Sequence, residues 1–132
     1  MEPEIIAPTD LATPRGYSNG MILGPGRLLF VAGQIGWDAN EALVSERLDA
    51  QFAKALDNVL AVVRDAGGAP RNIGRLTIYV TDKREYLAQA KAIGVAYRER
   101  MGKHFPAMAL VQVADLLLDG AKVEIEATAV LS

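Results

Sequence analysis

The last quarter of the chain contains two alternating segments, and these constrain the fold more than any other feature. Residues 123–129 have the sequence Val-Glu-Ile-Glu-Ala-Thr-Ala. Because successive side chains of a strand point to opposite faces, the pattern predicts a β-strand with an apolar face toward a core and Glu124 and Glu126 on the other face. Residues 105–113 alternate similarly and predict a second strand. Solvent is the simplest explanation for the carboxylates, because antiparallel sheets often keep one face wet.

Hydrophobic periodicity predicts the remaining elements. Short apolar runs flanked by Gly and Pro indicate strands, and apolar residues spaced by three and four indicate two amphipathic helices, capped at Ser45 and Asp82. The predicted strands are 21–23, 28–33 and 73–80, with the first two forming a hairpin, and the predicted helices are 45–66 and 82–101. The order predicts an α+β fold, a mixed α/β layer with a single mixed β-sheet and two helices on one face.

The same order leaves the second sheet face uncovered. We assign Met108, Leu110 and Gln112 of one strand and Glu124 and Glu126 of another to that face, a mixture too apolar for water and too charged for a dry core. Burial between subunits is one solution, since closed symmetric oligomers cover such surfaces. The whole chain, 1–132, is predicted to be one domain, with residues 1–16 as an irregular N-terminal lead-in.

Composition excludes several functions. The chain of 132 residues has a net charge of -2 with scattered Lys and Arg, so nucleic acid is not an expected partner. It has no cysteine and a single histidine, His104, which argues against thiolate chemistry and multi-histidine metal sites, and we predict no metal. No apolar run approaches the ~20 residues that span a bilayer, so no membrane partner is expected and a cytoplasmic location is predicted.

Several short motifs occur in an order that is similar to one known family, the Rid family, also called the YjgF/YER057c/UK114 family. They span nearly the entire chain. The motifs are Tyr17-Ser18, Gly33-Gln34-Ile35, Leu56-Asp57-Asn58-Val59, Val80-Thr81-Asp82, Phe105-Pro106-Ala107 and Val123-Glu124-Ile125-Glu126.

The resemblance implies a chorismate-mutase-like Rid fold assembled as a homotrimer, with small-molecule clefts at the subunit interfaces. It implies a reaction in which water converts imines or enamines to carbonyl compounds and ammonia, without a cofactor. Glu124 then matches the glutamate that handles water, while Tyr17 and Gly33 match residues that line the cleft. Trp37, the only tryptophan, and Leu110 are further candidates for binding substrate.

Met108 stands where the family has an arginine that grips the substrate carboxylate. A thioether supplies no charge and little hydrogen bonding, whereas a guanidinium offers a planar fork of donors. We therefore expect a small, neutral or modestly apolar ligand and poor turnover of ordinary amino-acid-derived iminoacids. Arg15 is a candidate for the missing cation, but the sequence does not place it.

Two other classes of function stay open at this stage. A non-catalytic trimer would sense or sequester a ligand in the same cleft, and the substitution Glu124→Gln would then spare binding. A regulatory or chaperone-like trimer would bind a larger enzyme even when the cleft is disrupted. Ribonuclease activity is the weakest alternative, because the chain lacks a basic groove.

Overall fold

The computed structural model describes residues 2–132, which form six strands and three α-helices. The strands are β1 (Glu4–Ile6), β2 (Gly20–Ile22), β3 (Arg27–Ile35), β4 (Ile73–Val80), β5 (Ala107–Gln112) and β6 (Val123–Leu131). The helices are α1 (Leu48–Asp65), α2 (Lys83–Ala88) and α3 (Ala90–Met101), with a short 3-10 turn at Pro70–Asn72 before β4.

Four of the strands form one mixed sheet in the order β3-β6-β4-β5. β6 pairs antiparallel with both β3 and β4, whereas β4 and β5 run parallel and are joined through α2 and α3. β6 therefore has hydrogen-bonded neighbours on both sides, and the residues it carries are positioned by the most constrained part of the sheet. The mixed α+β sheet with helices on one face agrees with the sequence prediction.

The core lies between this sheet and the helices. Alternate residues of β6, from Val123 to Leu131, are buried, as the alternating pattern predicts. Phe52, Leu56 and Val59 of α1 are almost completely inaccessible to solvent, since their spacing places them on the helix face toward the sheet. The predicted two-faced β6 and the amphipathic α1 are thus confirmed.

The helix caps follow the prediction only in part. Asp82 caps α2, because its side chain accepts hydrogen bonds from the backbone N–H groups of Arg84 and Glu85 at 2.9 and 3.3 Å. Ser45 does not cap α1. Its hydroxyl accepts from the backbone N–H of Arg47 at 3.0 Å in the loop before the helix, which begins only at Leu48.

Three predictions about the segments were wrong. The expected hairpin between 21–23 and 28–33 does not form, because β2 pairs with β1 and β3 pairs with β6. The partner β1 lies in the segment that we expected to be irregular. The second predicted helix is broken at Gln89 into α2 and α3. Leu87, at a position where the apolar spacing of that helix predicts burial, is 67% exposed.

The sheet face opposite the helices is apolar at its β3 side. Phe30 and Leu28 are 74% and 63% exposed, and their register partners on β6 are Thr128 and Val130. Within residues 2–132, no helix covers these side chains. The exposed face therefore has the character of a surface that another protein chain would cover.

Candidate functional site

Glu124 and Glu126 lie on the exposed sheet face, as the sequence predicts. On β4 their register partners are Tyr79 for Glu124 and Thr77 for Glu126. The side chains of these four residues share one face, because the residues between them on both strands are buried in the core. The sheet thus presents two carboxylates beside a phenol and a hydroxyl.

Tyr79 distinguishes the two carboxylates. Its phenol donates a hydrogen bond of 2.7 Å to Oε1 of Glu126. This hydrogen bond raises the pKa of Tyr79 above its usual value, and burial and the negative charges of Glu126 and Glu124 add to the effect. Among residues 2–132 no donor contacts the carboxylate of Glu124, so Glu124 is the one free to bind water or a ligand.

Gly33 makes room for the Glu124 carboxylate. A Cβ atom at Gly33 would overlap Oε2 of Glu124 and lie 2.8 Å from its Cδ. The strand register shifts between Val31 and Gln34, so that Ala32 and Gly33 together oppose the single residue Glu126. Such a bulge bends the strand and re-aims nearby side chains, and bulges occur often beside functional sites. Gly33 and Glu124, which the sequence analysis names separately as cleft residues, therefore lie against each other within one chain.

A cavity of about 170 Å³ continues this region along the same face. Its lining includes Phe30, Arg75, Thr77, Glu126 and Thr128. Arg75 is the cation of this surface, yet within the described residues it forms no ion pair. The face therefore combines an apolar edge at β3 with a polar centre at β4 and β6.

Met108 and Leu110 do not share this face, which corrects the sequence prediction. Their register partners on β4 are Leu76 and Ile78, both buried on the helix side, and Met108 packs against the core. The physical reason is the order of strands. β4 separates β5 from β6, and the parallel pairing of β5 with β4 places Ala109 beside Thr77 on the exposed face. Met108, the preceding residue of β5, therefore lies on the opposite face, toward the helices.

Met108 instead lines a groove on the helix side. The groove has a volume of about 180 Å³ and lies between the N-terminal segment, α3 and β5. Arg15 and Arg98 also line it, together with Tyr86, Tyr97 and Phe105. The sequence prediction that Arg15 is a candidate cation near Met108 thus receives a geometric basis, although Arg98 was not anticipated.

Tyr97, which is buried, and Tyr86, which is half-buried, form part of the wall of this groove. The phenol of Tyr97 donates to the backbone carbonyl of His104 at 2.7 Å, and its ring stacks on Phe105 with centroids 5.4 Å apart. Burial raises the pKa of both Tyr97 and Tyr86, so both phenols are neutral at neutral pH. His104 is a structural residue, since its Nε2 lies 2.7 Å from the carbonyl oxygen of Ile73.

Tyr17 lies at the beginning of β5. Its neighbour Ser18 forms a parallel bridge with Ala107 and donates its backbone N–H to Pro106 O at 3.1 Å, while its hydroxyl bonds to Phe105 O. This anchoring holds the 41% exposed Tyr17 at the β5 edge of the molecule. Tyr17 is therefore on the side of the molecule that carries Met108.

Trp37 lies beyond the end of β3, two residues after Ile35, the register partner of Glu124. It is half-buried, and its carbonyl oxygen accepts a hydrogen bond of 3.0 Å from the amide of Asn58. Neither Trp37 nor Leu110 lines the groove or the cavity described above. The structure therefore brings Glu124 and Gly33 together, and leaves the other predicted residues apart from them within one chain.

Tyr79, Arg75 and Arg98 were missed by sequence reasoning. Tyr79 and Arg75 belong to the alternating run of β4. The alternation shows which face of β4 is polar, but it does not show which residues of other strands lie beside that face. Arg98 lies on the polar side of a predicted helix and carries no local signal. Within residues 2–132, no group of three or more potential metal ligands converges, and no helix is long and apolar enough to cross a membrane.

The mixed sheet with helices on one face defines an α+β protein, in which Gly33 and Glu124 lie against each other on the uncovered face. The family model described as Endoribonuclease L-PSP matches residues 8–131. The chain therefore belongs to this family, the Rid/YjgF/L-PSP family.

The relatives agree with this assignment. A 2-iminobutanoate/2-iminopropanoate deaminase from Salmonella typhimurium is 36% identical over 114 residues, which are 86% of each protein. A Rid-family protein of unknown function from Yersinia pestis has a solved structure that superposes with a TM-score of 0.88 at 34% identity, covering 99% of this chain and 100% of that one. Escherichia coli TdcF, solved with bound serine, gives a TM-score of 0.70 at 28% identity, covering 98% of this chain and 99% of that one.

Proposed function

We propose that the protein is a homotrimeric imine or enamine deaminase whose sites are clefts between subunits. Each cleft combines the Gly33–Glu124 region of one subunit with the Tyr17–Met108 region of another. One observation carries the proposal: Glu124 has no hydrogen-bond donor within residues 2–132 and lies against Gly33 on a sheet face that no helix covers.

The positions of the residues favour a site built from two chains. Met108 and Glu124 are on opposite faces of the sheet of one chain, so they do not meet within it. The exposed Phe30 and Leu28 give a second reason, because burying apolar surface contributes roughly 25 cal/mol per Å². A second subunit laid on this face would cover both side chains and bring its own β5 edge toward Glu124.

The chemistry follows from a carboxylate with a free oxygen. Glu124 accepts a proton from water as the water oxygen forms a bond to the imine carbon, and the proton passes to the nitrogen. Glu124 then takes the hydroxyl proton of the resulting carbinolamine and passes it to the nitrogen, so that the C=O bond forms as the C–N bond breaks and ammonia leaves. An enamine enters the same sequence after protonation at carbon. Glu126 is less suited to this role, since its Oε1 already accepts a hydrogen bond from the phenol of Tyr79.

Met108 limits the substrates. The relatives from Salmonella and Escherichia coli are named for 2-iminobutanoate and 2-iminopropanoate, two small iminoacids. A methionine cannot bind their carboxylate as a guanidinium does, so we propose that this chain turns over such small iminoacids poorly. We propose in addition that it works in the cytoplasm, which stays a prediction from the sequence.

Ammonia release tests the proposal. An amino-acid oxidase generates imines in place from a series of amino acids, and an amine oxidase generates them from simple amines. The loss of each imine is then followed with and without the protein. We expect acceleration for at least one imine, and a loss on the order of 10²–10⁴-fold in Glu124→Gln. Robust turnover of 2-iminobutanoate would contradict the role of Met108. Retention of full activity in Glu124→Gln would contradict the role of Glu124.

The alternative function is that of a non-catalytic protein that binds a ligand in the same cleft. In that case no imine is hydrolysed faster than in buffer, and ligand binding survives in Glu124→Gln.

A further inference from the structure

Two amide side chains of α1 contact the strand ends around Glu124, and the proposed reaction assigns them no role. Gln51 and Asn58 are separated by about two helical turns, so both lie on the same side of α1. Gln51 is completely buried, whereas most amide side chains of proteins are exposed. Because buried polar groups are kept where their hydrogen bonds are made, the partners of these amides show what they hold in place.

Gln51 holds the backbone that leads into β6. Its Oε1 accepts a hydrogen bond of 2.8 Å from the backbone N–H of Lys122. Its Nε2 donates to the carbonyl oxygens of Gly120 and Ser45 at 3.0 and 2.9 Å. Lys122 precedes β6, and Glu124 is the second residue of that strand. Gln51 therefore fixes the strand that bears Glu124 just before the carboxylate.

Asn58 holds the strand on the other side. Its Nδ2 donates to the carbonyl oxygens of Ile35 and Trp37 at 3.1 and 3.0 Å. Ile35 is the last residue of β3 and the register partner of Glu124. The two amides thus attach both β3 and β6 to the same helix, at the point where these strands pass Glu124.

Gly36 shows how closely the end of β3 approaches α1. A Cβ atom at Gly36 would lie 2.6 Å from Cα of Gln51 and 2.7 Å from its carbonyl oxygen. These are backbone atoms of a helix, which cannot move aside as the end of a flexible side chain can. The contact between α1 and the end of β3 is therefore direct, and the amides add hydrogen bonds on either side of it.

We propose that Gln51 and Asn58 are positioning residues, which attach β6 and β3 to α1 and thereby fix the Glu124 carboxylate for its reaction. The inference rests on the proposed function, in which Glu124 handles water. Glu124 lies near a strand end, where local opening is easiest, and Gly33 leaves its carboxylate no spare room. A small movement of either strand therefore displaces the carboxylate, and a misplacement of about 1 Å costs on the order of 10²-fold in rate.

Gln51→Met and Asn58→Leu test the inference, because each keeps a side chain of similar size and removes the hydrogen bonds. Asn72→Leu is the matched control. The Asn72 amide is also buried, and its Nδ2 donates to the carbonyl oxygen of Val130 at 2.9 Å, toward the opposite end of β6. Its loss should destabilise the protein in a similar way but leave the surroundings of Glu124 unchanged.

Amide hydrogen exchange of the full-length protein separates positioning from general destabilisation. We expect Gln51→Met to raise exchange at residues 122–125 by about tenfold or more, with little change at 128–131. Asn58→Leu should do the same at residues 34–37. Asn72→Leu should show the reverse distribution along β6. A merely structural role would raise exchange evenly along the strand in all three variants.

The carboxyl ¹³C signal of Glu124 reports the surroundings of that side chain directly, and its loss in Glu124→Gln identifies it. We expect the signal to move in Gln51→Met and in Asn58→Leu, and to keep its position in Asn72→Leu. Neither this signal nor hydrogen exchange requires turnover. Both measurements therefore test the inference even in a protein that hydrolyses no imine, which is the result that would refute the proposed function.

Kinetics on the best imine add a readout of the reaction. We expect kcat to fall by about tenfold or more in Gln51→Met and Asn58→Leu while KM stays within about threefold, and both constants to be kept in Asn72→Leu. Because both amides act through Glu124, neither variant should lower the residual rate of Glu124→Gln any further.

Three results would overturn the inference: an unmoved Glu124 signal in both amide variants, exchange that rises evenly along β6, or a loss of kcat in Asn72→Leu as large as that in Gln51→Met. If Gln51→Met does not fold, Asn58→Leu is judged by the same measurements, with residues 34–37 as its region of raised exchange.

Discussion

The phenol of Tyr79 donates a 2.7 Å hydrogen bond to Glu126, whereas Glu124, two residues away on the same strand face, has no donor among residues 2–132. Two chemically identical carboxylates therefore have different surroundings. One is part of a fixed side-chain pair, and the other is available to a ligand. The predictions below depend on this difference and on the separation of the two halves of the proposed cleft.

Removing the phenol should change how stability depends on pH. The pKa of Tyr79 is raised, chiefly by the hydrogen bond to Glu126, so its stabilising contribution is fully present below its unfolded-state pKa of about 10 and is lost as pH rises through the folded-state pKa. Tyr79→Phe should thus lower the urea midpoint at neutral pH, with a difference from the wild type that shrinks above pH about 10. Tyr86 and Tyr97 are present in both proteins and cancel in the difference. A difference that grows with pH would contradict this account.

Glu126→Gln should cost far less activity than Glu124→Gln. The Glu126 carboxylate already accepts a hydrogen bond from Tyr79. Replacing Glu126 therefore changes the surroundings of Glu124 and leaves the proposed base in place. We expect turnover to stay within about tenfold of the wild type, compared with a loss on the order of 10²–10⁴ for Glu124→Gln. Steady-state ammonia release on the best imine measures both. Equal losses in the two variants would show that the carboxylates act as a unit.

Gly33→Ala should displace the Glu124 carboxylate, because the new Cβ would overlap it. We expect turnover to fall by about tenfold or more, since small misplacements of a catalytic group are costly. Gly74→Ala on neighbouring β4 is the control, where the nearest atom is the flexible end of Leu23 at 3.2 Å. Wild-type activity in Gly33→Ala would mean that the close approach has no catalytic role.

Phe30→Asp should dissociate the proposed trimer. Phe30 is 74% exposed in one chain, and a charge at this position would be buried without a partner in an interface. We expect the wild type to be trimeric at micromolar concentration by light scattering and the variant to be monomeric, with unchanged circular dichroism and no turnover. A monomeric wild type would remove the basis for a composite cleft.

Met108→Arg should widen the substrate range. A guanidinium here would supply a partner for a substrate carboxylate, and the long side chain can leave the apolar wall and reach solvent. We expect kcat/KM for 2-iminobutanoate to rise by about tenfold or more. Met108→Leu keeps a side chain of similar volume without charge and should leave the rate unchanged. Failure of the arginine variant to gain activity, in a protein that stays folded, would show that Met108 does not limit substrate choice.

How much of this molecule the sequence predicts depends on whether a feature is determined by neighbouring residues or by residues far apart in the chain. The two faces of β6 could be predicted because side-chain alternation is local and one strand contains all of it. The Asp82 cap and the apolar stripe of α1 could be predicted for the same reason, whereas the predicted Ser45 cap and the burial of Leu87 were wrong. Glu124 and Gly33 were found through a resemblance, and the structure places them in contact.

Predictions that needed the pairing of distant strands were less successful. Met108 was assigned to the face of Glu124 because both strands alternate, but the face of β5 depends on its parallel partner β4 and not on its own pattern. Residues 107–112 include apolar side chains on both faces, so the pattern had no polar side to settle the choice. Tyr79 and Glu126 lie 47 residues apart, and no local signal joins them.

Glu124 lies on the central strand β6, whereas Arg15 lies on a segment that is anchored at Ser18. These two parts of the molecule therefore differ in how well they tolerate mutation. Mutations at Glu124 must be compatible with neighbours on both flanks, whereas the N-terminal segment can be lengthened or recharged at little structural cost. Laboratory evolution aimed at a new ligand could therefore be confined to residues 8–16, leaving Glu124, the proposed hydrolytic residue, unchanged.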